Sequence, residues 1–193
     1  AENPDVYFQG RERENKYYDK VASIVEKNME IYAKKTGRRY NLFDYVGSKK
    51  AKKLIVMMGS GADTADEAVE YLTKNGEEVG LVKVRLFRPF SIKHFIAAFP
   101  ETVEKIAVLD RTKENGSIGE PLYMDVATSL RGKDIKIIGG RYGLSSKEFT
   151  PSMVKAVFDH LEGKCSHNFT VGINDDVSKT SIQVKEHIDT EPK

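Results

Sequence analysis

The chain has 193 residues, 39% of them apolar and 31% charged, and 31 basic against 29 acidic side chains leave a net charge of only +2. That length predicts one domain or little more, and the balanced charge excludes the global electrostatic footprint of a nucleic-acid binder. A single cysteine, Cys165, excludes an intramolecular disulfide framework and any zinc or iron–sulfur site built on several thiolates.

No apolar run approaches the roughly 18 residues of a membrane span and no signal peptide is visible, so a cytoplasmic globular domain with no membrane partner is expected. The first residue is Ala1 rather than Met, which reads as a piece of a longer polypeptide. Tyr7-Phe8-Gln9-Gly10 has the letters of a protease-cleavage linker, but Pro4-Asp5-Val6 before it does not fit one, and the segment reads as native. The charged stretch Arg11-Glu12-Arg13-Glu14 suits a solvated face or an arm along a neighbouring domain.

From 18 to 35, Val21, Ile24, Val25, Met29, Ile31 and Tyr32 follow a helical stripe that Gly37 stops. Residues 41–46 read as a short extended connection ending at Gly47, so 1–47 form an arm, a helix and a connection. A regular rhythm then occupies 48–174. Residues 54–58 are a wholly apolar strand, the pattern of a strand covered on both faces. A helix follows from Thr64, where Thr64 and Glu67 have capping-box spacing and Ala65, Ala68, Val69 and Leu72 form the buried stripe. The second strand, 79–87, alternates its faces until Pro89, and Ser91 can cap a helix carrying Ile92, Phe95, Ile96 and Phe99. Residues 106–109 and 135–138 are the third and fourth strands, with a helix bearing Leu122, Val126 and Leu130 between them. Thr150 and Pro151 open the last helix as cap and first-turn proline, and 169–173 is the fifth strand. Residues 175–193 are polar and weakly patterned, as in a linker or tail. This alternation predicts an α/β fold, a three-layer α/β/α sandwich on a five-stranded, mostly parallel sheet, and leaves the strand order open.

Open α/β sheets bind ligands at the carboxyl ends of their strands. After the first strand stands Gly59-Ser60-Gly61-Ala62-Asp63-Thr64, two glycines of a dinucleotide fingerprint with Thr64 in place of the third. The second strand ends in Lys83, Arg85 and Arg88 without the acid that would hold a ribose, and Asp63 would repel a phosphate. The segment is therefore either a tight strand-to-helix turn or the anion site of a free-standing nucleotide- or phosphate-binding enzyme. Cys165 and His167 are neighbours in a loop with nothing to orient them, the other histidines are scattered, and no acid/base couple emerges. The same edge gathers Arg88, Asp110, Arg111, Glu114, Glu120, Arg141 and Tyr142. Mixed charges with Arg and Tyr suit a docking rim that contacts other domains. A plain solvated rim fits these residues equally.

Eight blocks, in order, carry a resemblance: Asn-Pro-Asp-Val-Tyr-Phe-Gln-Gly-Arg-Glu at 3–12, Leu-Phe-Asp-Tyr-Val-Gly at 42–47, Met-Gly-Ser-Gly-Ala at 58–62, Lys-Val-Arg-Leu-Phe-Arg-Pro-Phe at 83–90, Ala-Val-Leu-Asp-Arg-Thr-Lys-Glu at 107–114, Gly-Glu-Pro-Leu-Tyr at 119–123, Ile-Gly-Gly-Arg-Tyr-Gly-Leu at 138–144 and Phe-Thr-Pro-Ser-Met-Val-Lys-Ala-Val-Phe at 149–158. From about 3 to 181 the chain resembles the second domain of the pyruvate:ferredoxin (flavodoxin) oxidoreductases. That domain is similar to the carboxy-terminal domain of transketolases, with a five-stranded mixed sheet. The resemblance implies a parent enzyme that decarboxylates pyruvate oxidatively on thiamine diphosphate with magnesium. It implies a homodimer that passes electrons through [4Fe–4S] clusters to ferredoxin or flavodoxin and makes acetyl-CoA. It also implies that the catalytic, cofactor and metal residues lie in other domains of the same polypeptide, so none is assigned here.

Overall fold

The structure, a computed structural model, describes residues 2–190. Two helices come first, α1 (Pro4–Arg13) and α2 (Asn15–Thr36), followed by strand β1 (Phe43–Gly47). The alternating part contains β2 (Lys53–Met57), α3 (Gly61–Lys74), β3 (Val79–Val84), α4 (Ile92–Ala97), β4 (Lys105–Asp110), α5 (Pro121–Ser129), β5 (Lys136–Arg141), α6 (Pro151–Glu162), β6 (Phe169–Val171) and β7 (Ser181–Ile182). The strands lie in the order β1-β3-β2-β4-β5-β6-β7. All neighbours are parallel except β1, which runs antiparallel to β3.

Period-two alternation makes this sheet the middle of a sandwich. Ile55, Met57, Leu81 and Leu109 point to one side, where Ala65, Val69 and Leu72 of α3 meet Val154, Val157 and Phe158 of α6. Leu54, Val56, Val82, Ile106 and Val108 point to the other, onto Phe95 of α4 and Leu122 and Val126 of α5. Local chemistry sets the helix starts. Asn3 accepts the Val6 amide at 2.9 Å ahead of Pro4, and Thr150 accepts the Met153 amide at 3.3 Å ahead of Pro151. Gly37, at φ 74°, ends α2 in the left-handed region that favours glycine.

The expected three layers and mostly parallel sheet are present, with seven strands rather than five. The connection at 41–46 is an edge strand: β1 lays Tyr45 across Gly80, where an added Cβ would come within 2.5 Å of the tyrosine oxygen. The Tyr45 hydroxyl donates to Ser48 O at 2.5 Å, and burial pushes its pKa up to about 12. The stretch after Asn174 is not all linker. Residues 181–182 pair with β6, the buried Ile188 donates its amide to the Ser152 hydroxyl oxygen at 3.0 Å, and Glu186 lies 3.7 Å from Lys155 of α6. The last residues, 191–193, lie outside the described residues.

Two helix details also differ. Helix α3 begins at Gly61, before Thr64, with no side-chain cap. Ser91 turns its hydroxyl to the His94 ring at 2.6 Å and leaves the backbone of α4 uncapped by a side chain.

Candidate functional site

The strand order reverses between β2 and β4, because the chain runs from β2 to β3 on one side and then crosses β2 to reach β4. The crevice beyond those two carboxyl ends is where an open α/β sheet receives a ligand. On the β4 side the chain's own side chains fill it, while on the β3 side a hollow of about 450 Å³ lined by Gly59, Ala62, Asp63, Lys83 and Arg85 remains. Tyr142, just past β5, packs its ring on Gly61, so close that a Cβ there would lie 2.5 Å from the ring. Its hydroxyl donates to Met58 O at 3.4 Å, and its other side meets Phe149 at 4.5 Å between ring centres. Burial pushes the Tyr142 phenol up, against the pull of the Arg111 charge. Arg111, just past β4, crosses the crevice, donating through Nε to Gly143 O at 2.8 Å and through Nη1 to Ser60 Oγ at 3.3 Å. The close approach that Gly61 permits is therefore to a tyrosine ring rather than a phosphate, and Asp63 adds a negative charge to the first turn of α3.

The seven rim residues divide into two groups. Asp110, Glu120, Arg141 and Tyr142 are only 2%, 3%, 9% and 2% exposed. Asp110, the last residue of β4, accepts the amides of Leu122 at 3.0 Å and Tyr123 at 3.2 Å, so it caps α5 from the neighbouring strand. Burial raises its pKa; those two amides pull it back, and the charges of Glu120 and Asp125 add to the rise. Glu120 accepts the Glu114 amide at 2.7 Å and Arg141 Nη1 at 3.3 Å, with Lys113 Nζ 3.8 Å away. Arg141 also donates through Nη2 to Asn168 O at 2.8 Å.

These four were expected as contacts to other domains. In this domain all four are buried: Asp110 holds the start of α5, Glu120 and Arg141 brace the long 111–120 loop, and Tyr142 packs on Gly61, in keeping with the rule that charged groups taken out of water are paired and hydrogen-bonded. Arg88, Arg111 and Glu114 remain exposed. Arg88 is ion-paired to Asp125 and lies over the Phe87 ring at 3.8 Å, and the Glu114 carboxylate has no hydrogen bond among the described residues.

Two residues of this edge carry roles that the sequence does not expose. Asn168 sits at φ 60°, a left-handed position that asparagine tolerates, and presents both its backbone and side-chain oxygens to Arg141. His167 accepts the Gly139 amide through Nδ1 at 3.0 Å and donates from Nε2 to Ile118 O at 2.7 Å. With both ring nitrogens committed, it is no base for Cys165, which packs against the α3–α6 core. A hollow of about 690 Å³ remains between the loop after β5 and the loop after β6, lined by Tyr142, Leu144, Val171 and Ile173 together with Lys113 and Lys147.

Residues 51–154 match the family model of pyruvate:ferredoxin oxidoreductase core domain II. The chain is 59% identical to the pyruvate:ferredoxin oxidoreductase of Moorella thermoacetica, over 100% of this chain and 17% of that protein. It is 54% identical to the pyruvate-flavodoxin oxidoreductase of Trichormus variabilis, again over 100% of this chain and 17% of the relative. It is 49% identical to the pyruvate dehydrogenase [NADP(+)] of Cryptosporidium parvum, over 96% of this chain and 10% of that protein. The chain thus spans a small fraction of the length of the curated relatives it matches. Because the matched segment is more than half of its own length, the chain belongs to the pyruvate:ferredoxin oxidoreductase core domain II family.

Proposed function

We propose that this chain is a non-catalytic assembly domain of a pyruvate:ferredoxin (flavodoxin) oxidoreductase. The parent polypeptide, a cytoplasmic homodimer, decarboxylates pyruvate oxidatively with coenzyme A to give acetyl-CoA and CO2, and delivers the electrons to ferredoxin or flavodoxin. Thiamine diphosphate, magnesium and [4Fe–4S] clusters supply that chemistry from its other domains. The observation that carries this reading is the crevice filled on its β4 side: at the position where this fold would hold a ligand, Tyr142 and Arg111 cross-link the loops after β2, β4 and β5.

The donor set of this chain does not fit those cofactors. One cysteine cannot replace the four thiolates of a cluster. A diphosphate at the start of α3 would meet the Tyr142 ring and Asp63, and among the described residues no three His, Cys, Asp or Glu side chains converge on a metal position. The relatives' names point the same way. They give ferredoxin, flavodoxin and NADP(+), yet each of the three proteins is 49% to 59% identical to this segment, which supports a reading in which the choice of electron acceptor is made in other domains.

In this reading Arg88, Arg111 and Glu114 meet neighbouring domains. In the full-length polypeptide, Arg111→Ala and Glu114→Lys should impair assembly or pyruvate turnover. Glu114→Lys should leave the domain's own stability within about 0.5 kcal/mol, since its carboxylate has no hydrogen bond or ion pair among the described residues. Wild-type assembly and turnover in both variants would remove the docking rim. A nucleotide bound with micromolar affinity by this chain in a calorimetric titration would instead restore an anion site at 59–64.

A further inference from the structure

Helix α2 has more apolar surface than the domain covers, and none of its residues is buried. Ala22, Val25 and Met29 pack on the core beside α4 and α5. A second row consists of Tyr17, Val21, Ile24, Asn28 and Ile31, in alternating steps of four and three. That is the spacing of a heptad seam, with Val21 and Asn28 at position a and Tyr17, Ile24 and Ile31 at position d. The three d side chains are 73%, 54% and 42% exposed.

The two edges of this row differ. Toward the domain it falls into a hollow of about 370 Å³ lined by Val25, Asn28, Met29, Tyr32 and Tyr40. On the far edge every g position is lysine: Lys20, Lys27 and Lys34. None of the three enters an ion pair among the described residues.

We propose that this row is one half of a two-helix seam, and that its other half is an amphipathic helix, acidic along one flank, in another domain of the same polypeptide. The inference rests on the assembly reading above and names the surface and the chemistry of its partner. The acidic flank follows from the lysine row, which steers and registers an oppositely charged edge. An asparagine at one a position fixes register in such seams. A second copy of this chain fits poorly. In an antiparallel pair the g edges meet, lysine against lysine; in a parallel pair g meets e, which here is Tyr18, Val25 and Tyr32 with no acid among them. A lipid surface also fits poorly, because the polar face of α2 carries Asp19, Glu26 and Glu30 rather than a continuous basic strip.

The test places a thiol on the seam (Ile24→Cys, and separately Ile31→Cys) or just off it (Ser23→Cys) in the full-length polypeptide. Maleimide labelling at each position is followed by peptide mass spectrometry. Seam positions should label about tenfold or more slowly than position 23 in the native protein, and equally in concentrated guanidinium, since a covered thiol reacts only on local opening. Adding Lys20→Glu, Lys27→Glu and Lys34→Glu together should return the seam to the rate at position 23. Unchanged protection in that variant would rule out an acidic flank. Protection that grows with protein concentration would assign the seam to a second copy, and protection that needs anionic vesicles would assign it to a membrane; either result overturns the proposal. Equal labelling at all three positions, with the rim variants still impaired, removes the seam and leaves the assembly reading standing. Equal labelling with unimpaired rim variants removes both.

Discussion

The carboxyl edge of the sheet and the α2 arm manage opposite surfaces in opposite ways. At the edge, Asp110, Glu120 and Arg141 are charged side chains withdrawn from water, and each is met by an amide, a carbonyl or an opposite charge from the same chain. Along α2, Tyr17, Ile24 and Ile31 are apolar side chains left in water with no partner helix in this domain. A buried charge has to be satisfied when the domain folds, because leaving it unpaired costs more than a marginally stable fold can absorb. An exposed apolar row costs the folded domain little and can wait for a partner. The buried charges of the edge are therefore the internal scaffold, and helix α2, charged along its other faces, carries the uncovered apolar row.

The largest effect that separates the two regions should come from Arg141→Met. It strips Glu120 of its closest charge partner inside the fold and should cost about 3 kcal/mol in urea unfolding. A loss under about 1 kcal/mol would put that ion pair effectively in solvent and erase the contrast. Gly61→Ala should follow, at about 2 kcal/mol, because the new methyl group must displace the Tyr142 ring. The same substitution in a Tyr142→Ala background should cost much less, and an unchanged cost would show that the ring does not fill the crevice.

The third test uses pH. Asp110 holds its proton more tightly in the folded than in the unfolded chain, burial being the main cause. Its contribution to stability therefore falls as pH rises from the unfolded carboxylate value of about 4 through its folded value, and is level above that. Asp110→Asn should remove this decline, and identical stability–pH slopes in the two proteins would refute the assignment. The smallest effect should be Ile24→Gln in this chain alone, within about 0.5 kcal/mol and without loss of helix signal, since its side chain is more than half exposed and lies outside both core clusters. A loss above about 1 kcal/mol would mean that the outer row of α2 already belongs to the domain core.

Much of the fold was legible because its signals are local. The apolar run at 54–58, the Thr150-Pro151 start of α6 and the stop at Gly37 each act within one turn or one strand. Strand β1 was not legible, since its place depends on Tyr45 lying over a glycine that is 35 positions later in the chain, at Gly80. The tail was obscure for the same reason: Ile188 joins the core on the α3–α6 side of the sheet, where Ser152 of α6 accepts its amide. The stripe on α2 was visible as a helix, but periodicity alone could not say that Val25 and Met29 turn inward while Ile24 and Ile31 turn outward.

The seven rim residues show the division most clearly. By itself the sequence determined that they gather at the carboxyl ends of parallel strands, because strand direction and loop position follow from the alternation of elements. Only the tertiary structure decided that Asp110, Glu120, Arg141 and Tyr142 face inward while Arg88, Arg111 and Glu114 face out. That choice depends on Leu122, Asn168, Met58 and Gly61, partners brought from other strands and loops. Residue type sets which groups require a partner, and the packing of distant segments determines which of them have one.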